Sequence, residues 1–493
     1  MKKIWKKIKK YNLSYKICLL YFFVPIYLLC LTSANIGKEN DIWFLLNHGK
    51  YVIKHGFPTI EPFSMHQGFS FVMQQWLSAV IFYLTYSVLG KYGLLLVVNI
   101  INLLILYFTY KLCILLTDNR KRLSIVLTCI TDVLLTSTFL VLRPQIFTYL
   151  LLIITLYIME KFIRCKDTKL IYLLPLISLL QINLHASMWF MIFLFMLPYV
   201  VSLFINTLKN KNDNRIFKLL IIMVLMFLVG FINPYTTKNM FYVFTSYGSI
   251  YVNNSVKEML PPIELLYINP FYTFLHYLTV LGIVSVYIAN KKAKLNLTHI
   301  LLLLGVLILA TTSIRNYPLL VIGTVPFLGY NLKCLFPKKK EPKCSIKDFF
   351  DKQYVLLIIL LVTFLIGILV VKKIPFTNKL KPGIDYLEKN YDVKKIVLYT
   401  NYNNGSYTEY RGLKPYIDPR AEVFLKSNNH KEDIMREYYF LQNGLLDYDK
   451  FINKYNFTHM IVTKTDSLYD KVSKDKRYKI IYKGKDYKIY ERV

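Results

Sequence analysis

Glu39 and Asp41 stand in the run Gly37-Lys38-Glu39-Asn40-Asp41-Ile42-Trp43, directly after the first long apolar stretch of the chain. A carboxylate held just outside a bilayer can take a proton from an acceptor hydroxyl or amine, or hold a divalent cation there. The plain alternative is a solvated loop acid. Glu61, His66 and Gln75 follow in the same loop and are each weaker on their own.

Four polar groups sit at boundaries between apolar runs: Arg143 in Leu142-Arg143-Pro144-Gln145, His185 in Asn183-Leu184-His185-Ala186, Asn233 in Asn233-Pro234-Tyr235, and Arg315 in Ser313-Ile314-Arg315-Asn316. Ionisable groups at membrane depth are usually functional. Two arginines and a histidine near one interface would suit a phosphate or pyrophosphate, with Arg giving two-bond contacts. Snorkelling to headgroups is the competing explanation. Asp132 differs, because it falls inside an apolar run where an unpaired charge is costly. A proton-relay or coupling-ion role in a transporter competes there with a buried, hydrogen-bonded acid, and the latter is favoured. His276 and His299, near run ends, read as packed.

The elements that must position these groups are membrane helices. Apolar runs cover residues 17–34, 92–116, 124–142, 145–163, 169–184, 187–207, 217–233, 271–289, 297–313, 317–333 and 354–371, which predicts about 11 transmembrane helices. Basic connectors (Lys2 to Lys16, Asn119 to Arg122, Arg164 to Lys169, Lys209 to Lys218, Lys291 to Lys294, Lys333 to Lys352) all fall on one side when the N-terminus is cytoplasmic. A cell-membrane, multi-pass protein with an extracytoplasmic C-terminal domain follows. The segment Trp76 to Gly90 would break that parity if it crossed, so it is expected to lie at the interface.

The expected fold is an α-helical polytopic membrane bundle over residues 1–371, with outer loops at 35–91 and 234–270, followed by a soluble α/β domain over 372–493. In that tail, strands are predicted at 395–400, 414–417, 459–463, 478–482 and 487–490, and helices at 383–389, 431–441, 448–454 and 468–474. A closing hairpin is placed around Lys483-Gly484-Lys485-Asp486. There is no Gly-rich nucleotide loop and no nucleophile elbow.

The chain is 55% hydrophobic, too apolar for a soluble enzyme, and its formal net charge of +33 lies in short connectors and a Lys-rich tail. That placement fits membrane lipids or a phosphorylated substrate better than nucleic acid, which is excluded as a partner. Seven cysteines avoid the tail and match no zinc spacing, so unpaired thiols are expected.

The arrangement resembles the GT-C superfamily of multi-spanning glycosyltransferases. The likeness is to the bacterial group with a C-terminal extracytoplasmic domain, and to dolichyl-phosphate-mannose mannosyltransferase-like enzymes. It is carried by Asp41-Ile42-Trp43, Gly49, His55-Gly56-Phe57-Pro58, Glu61-Pro62-Phe63-Ser64, Gln75-Trp76-Leu77-Ser78, Leu142-Arg143-Pro144-Gln145, Asn183-Leu184-His185, Ile232-Asn233-Pro234-Tyr235, Glu258, Arg315-Asn316-Tyr317-Pro318, Asn404-Gly405-Ser406-Tyr407 and Ile417-Asp418-Pro419-Arg420-Ala421-Glu422. The chain departs from the group's pattern at Leu45, Glu61 and Gln75.

The resemblance implies transfer of a sugar from a polyprenyl-phosphate donor to an envelope glycan, lipid or protein acceptor. Asp41 would be the acid, with Glu39 and Glu61 as further catalytic candidates. Arg143, Gln145, His185, Asn233, Glu258 and Arg315 would be substrate-binding, and a divalent cation is one candidate cofactor. The competing readings are a non-catalytic transporter or scaffold and an O-antigen-polymerase-like enzyme.

Overall fold

The computed structural model describes residues 40–136, 141–165, 169–209, 214–246, 248–290, 296–336 and 376–493, with seven further positions between 361 and 372. Glu39, the run 17–34, most of the run 354–371, and Cys18, Cys30 and Cys344 lie outside the described residues.

In chain order the longer helices are α1 (Asp41–His55), α2 (Trp76–Leu89), α3 (Lys91–Leu116), α4 (Lys121–Thr136), α5 (Gln145–Arg164), α6 (Leu174–Leu184), α7 (Trp189–Lys209), α8 (Arg215–Leu228), α9 (Pro270–Ala289), α10 (Leu297–Thr312) and α11 (Tyr317–Leu335). The tail adds α12 (Lys381–Asn390), β1 (Leu398–Thr400), α13 (Tyr402–Tyr410), α14 (Ile434–Gln442), α15 (Tyr448–Tyr455), β2 (His459–Thr463), α16 (Tyr469–Lys474), β3 (Tyr478–Lys483) and β4 (Tyr487–Arg492). Five of the described helical segments are long and apolar enough to cross a bilayer: 91–116, 145–164, 186–209, 270–289 and 314–335. The protein is a multi-pass membrane protein. By contrast α2 has 14 residues. At 1.5 Å per residue it rises roughly 21 Å, short of a hydrocarbon core of about 30 Å.

The chain divides into two compact units, one of 1–36, 91–236 and 257–374, the other of 37–90, 237–256 and 375–493. In the first, α3 packs on α5, α10 on α11 and α7, and α6 on α8. A buried Glu160 on α5 ties three helices together: His299 Nε2 on α10 lies 2.8 Å away and Tyr199 Oη on α7 donates to it at 2.9 Å. His299 is thus packed against an acid, and His276 is also buried. The four described cysteines, Cys113, Cys129, Cys165 and Cys334, are free.

The second unit joins the first loop to the tail. Its sheet runs β1-β2-β4-β3, with β1 and β2 parallel and the other pairs antiparallel. The 483–486 turn closes the hairpin as expected. Residues 414–417 form no strand; they make a single bridge, Leu398 to Pro415. Proline has no N–H for a ladder, which stops the pairing there. Helix α13 was missed because Asn403, Asn404 and Gly405 are poor helix formers. The Asn401 side chain caps it, accepting from Asn404 N at 3.2 Å, and burial on both sides holds it. Two glycines set close approaches: a Cβ at Gly49 would meet Ala79 O of α2 at 2.2 Å, and one at Gly405 would meet Ile417 O at 2.1 Å.

Candidate functional site

In the first unit, three of the expected groups come together at helix connectors. Arg143 lies just before α5, Glu258 in the turn 257–259, and Arg315 in the turn 314–316 that leads into α11. One side-chain and one backbone bond lock these turns: Ser313 Oγ donates to Glu258 O at 2.8 Å, and Ile314 N donates to Leu260 O at 3.0 Å. Arg143 Nη1 then donates to both carboxylate oxygens of Glu258, at 2.9 and 2.8 Å. Arg315 approaches from the other turn, its Nη1 4.0 Å from Met259 Sδ.

Burial pushes Glu258 up, but the guanidiniums of Arg143 and Arg315 outweigh it and hold the acid below its usual range. Glu258 is therefore ionised at neutral pH. The setting is still open: the side chains of Arg143 and Glu258 are 21% and 39% exposed. A guanidinium there can meet a phosphate oxygen pair with two bonds.

Of the other expected substrate groups, His185 and Asn233 are hydrogen-bonded within the protein and Gln145 is not fully so. His185 is buried, with Thr148 Oγ1 2.9 Å from Nδ1 and Ser187 Oγ 3.1 Å from Nε2. Burial, and after it the Arg315 charge, lower its imidazole to about 3, so it brings no charge to a phosphate. Asn233 shapes its own turn, donating to Gly230 O and Thr236 O and accepting from Tyr235 N. Gln145 opens α5, its Oε1 buried without a hydrogen-bond partner among the described residues.

In the second unit, Asp41 is the first residue of α1 and is half-buried. Glu61 has a different environment. Its carboxylate accepts from Phe63 N (2.9 Å), Ser64 N (2.8 Å), Ser64 Oγ (2.6 Å) and Arg420 Nη1 (2.9 Å), with its side chain fully buried. So many internal donors make Glu61 part of the frame, which removes the geometric case for it as the acid facing an acceptor.

Arg420 is the centre of that frame. It also meets Asp418 Oδ1 at 2.8 Å and Oδ2 at 2.5 Å, Glu409 at 3.3 Å and His48 Nε2 at 3.3 Å, and lies over the rings of Phe63 and Phe71. Burial alone would lower the Arg420 pKa, yet Asp418, Glu409 and Glu61 carry it well above its ordinary value. Burial and then the Arg420 charge keep His48 well below 6.5, hence neutral. This cluster was not assembled from sequence, because its members are up to 372 residues apart. The one local signal was the pair Asp418 and Arg420 flanking Pro419. Among the described residues no group of three or more His, Cys, Asp or Glu is arranged to hold a metal ion.

The fold is shared, at low sequence identity, with solved structures of two other proteins. Over 98% of each chain this one is similar to ArnT from Cupriavidus metallidurans bound to undecaprenyl phosphate, with a TM-score of 0.55 and 9% identity. The same protein in its apo state gives 0.52 at 9% identity, over 99% of this chain and 98% of that one. The Archaeoglobus fulgidus oligosaccharyltransferase, tethered with an acceptor peptide containing the NVT sequon, gives 0.57 at 12% identity over 92% of this chain and 69% of that one. No protein-family model and no curated protein sequence matches.

Proposed function

We propose that this protein is an inverting membrane glycosyltransferase, of about 11 spans, that moves a sugar from a polyprenyl-phosphate donor to an envelope acceptor on the outer face. The observation that carries this reading is the end-to-end fold similarity to a protein solved with undecaprenyl phosphate. The half-open Arg143–Glu258 pair, with Arg315 acting on the same acid, supports it, since guanidiniums suit phosphate oxygens.

In the proposed step, an acceptor oxygen or nitrogen attacks C1 of the sugar. The C1–O bond to phosphate breaks, its electron pair leaves with the polyprenyl phosphate, and the acceptor proton passes to Asp41. The two arginines stabilise the departing phosphate, and positioning lowers the rest of the barrier. The leaving group comes with the donor, in keeping with a sequence that has no nucleotide loop.

Asp41→Asn tests this reading with purified protein and lipid-linked donor. Transfer should fall by about 10²–10⁴-fold, the range of a lost general base. Turnover near the wild-type rate would remove Asp41 from the chemistry. For the topology, cysteine placed at the exposed Ser427 should react with an impermeant maleimide in intact cells while Cys344 does not. Labelling of Cys344 alone would invert the chain and with it the outer site.

One observation favours transport. Asp132 on α4 and Asn99 on α3 are buried, and neither side chain has a hydrogen-bond partner among the described residues. Polar groups inside a membrane bundle often line a transport route.

A further inference from the structure

Helix α1 begins badly for a helix that carries a catalytic acid in its first turn. Asn40 stands at the N-cap but makes no side-chain capping bond. The first turn of any helix has unpaired N–H groups and frays unless something holds it. Contacts from the tail fix the start of the helix in place, without pairing those N–H groups. Ser406 Oγ donates to Asn40 O at 2.7 Å, on the residue next to Asp41. Trp43 sits against Tyr407, Tyr410 and Phe376, with ring centroids 5.0, 5.1 and 4.9 Å away.

Further along α1, Asn47 Nδ2 donates to Glu409 Oε1 at 3.0 Å, and His48 lies against Arg420. Arg420 thereby joins four segments: α1 through His48, the first loop through Glu61, α13 through Glu409, and its own turn through Asp418. Gly405 permits this, since a side chain there would push α13 off residues 417–418.

We propose that Arg420, with Ser406, is a positioning residue for Asp41: the tail clamps α1 so that its first turn holds the acid in one place. The proposal rests on the reading above that Asp41 is the acid, and it gives the tail a role in catalysis. A catalytic group displaced by 1 Å can cost about a hundredfold in rate. Removing a grip should therefore lower kcat and leave donor KM alone, because Arg143, Glu258 and Arg315 are not members of this cluster.

Two variants of the full-length protein test it. Arg420→Lys keeps the charge and loses the fork, and kcat should fall by about a hundredfold at unchanged donor KM. Ser406→Ala removes one bond at the helix start, and kcat should fall about fivefold. The second readout is hydrogen exchange, which needs no activity. Amides of Trp43 to Leu46 should exchange faster in both variants, while those of β2 and β4 keep wild-type protection.

Wild-type kcat and wild-type exchange of α1 in both variants would overturn the proposal. Equal loss of protection across β2 and β4 would overturn it as well, by making Arg420 a general fold residue. If the wild-type protein moves no sugar and α1 still loosens selectively, the function reading fails and the clamp stands.

Discussion

Two arginine–carboxylate clusters of nearly the same chemistry take opposite roles. In the second unit one guanidinium meets Glu61, Glu409 and Asp418 with its side chain 2% exposed. In the first, Arg143 pairs with Glu258 while the charge of Arg315 acts on the same acid, and the side chains of Arg143 and Glu258 keep 21% and 39% of their surface. A buried cation surrounded by excess carboxylate has its bonding capacity used up, so it can only hold structure. A half-open guanidinium keeps surface on which an anion can be bound. Access, more than residue type, separates the buried frame from the proposed binding site.

The sharpest way to break this contrast is truncation. Arg420→Ala leaves three buried acids without their cation and should destabilise the second unit by about 3–5 kcal/mol. Arg315→Ala should change stability far less while weakening the donor. Thermal unfolding of the two variants measured side by side decides the matter, and equal losses would erase the distinction drawn here.

A smaller effect comes from changing shape at constant charge. Arg143→Lys and Arg315→Lys should each weaken donor binding roughly ten- to a hundredfold, because an ammonium lacks the planar two-bond grip. Wild-type donor affinity in both would leave these arginines as interface anchors.

Protonation sharpens the comparison further. His48 is held neutral when folded, so below pH 6.5 the unfolded chain takes up a proton that the folded one refuses. Its contribution to stability therefore falls with falling pH, by up to about 1.4 kcal/mol per pH unit, until the folded pKa is reached. His48→Gln should flatten that slope in denaturation measured between pH 7 and 5. An unchanged slope would show that other groups dominate.

The smallest expected effect is at Asp132. Asp132→Asn should leave sugar transfer within about twofold of wild type, well inside the effect of one lost charged hydrogen bond. A complete loss of function there, with Arg143→Lys silent, would move the protein toward transport.

By itself the sequence determined the membrane class and most helix positions. The run 92–116 appears as α3 at 91–116 and the run 145–163 as α5 at 145–164, because a bilayer demands a long apolar stretch whatever surrounds it. The closing hairpin was legible for the same kind of reason: a short polar turn with glycine between alternating strands is a local signal. Arg143 and Arg315 were legible as cations placed where no helix needs them. Glu258 was picked out by the resemblance, but its pairing with Arg143 was not legible, since the two stand 115 residues apart.

Only the tertiary structure decided which polar groups are already spent. Glu61, His185 and Asn233 are chemically eligible as residues, yet Glu61 is engaged by the distant Arg420 and His185 by Thr148, while Asn233 bonds within its own turn. Only the fold could bring the tail onto α1, because that arrangement depends on burying Arg420 among acids from three separate segments. Local propensity and hydropathy report on neighbours a few residues apart, whereas the satisfaction of a buried charge depends on everything that surrounds it.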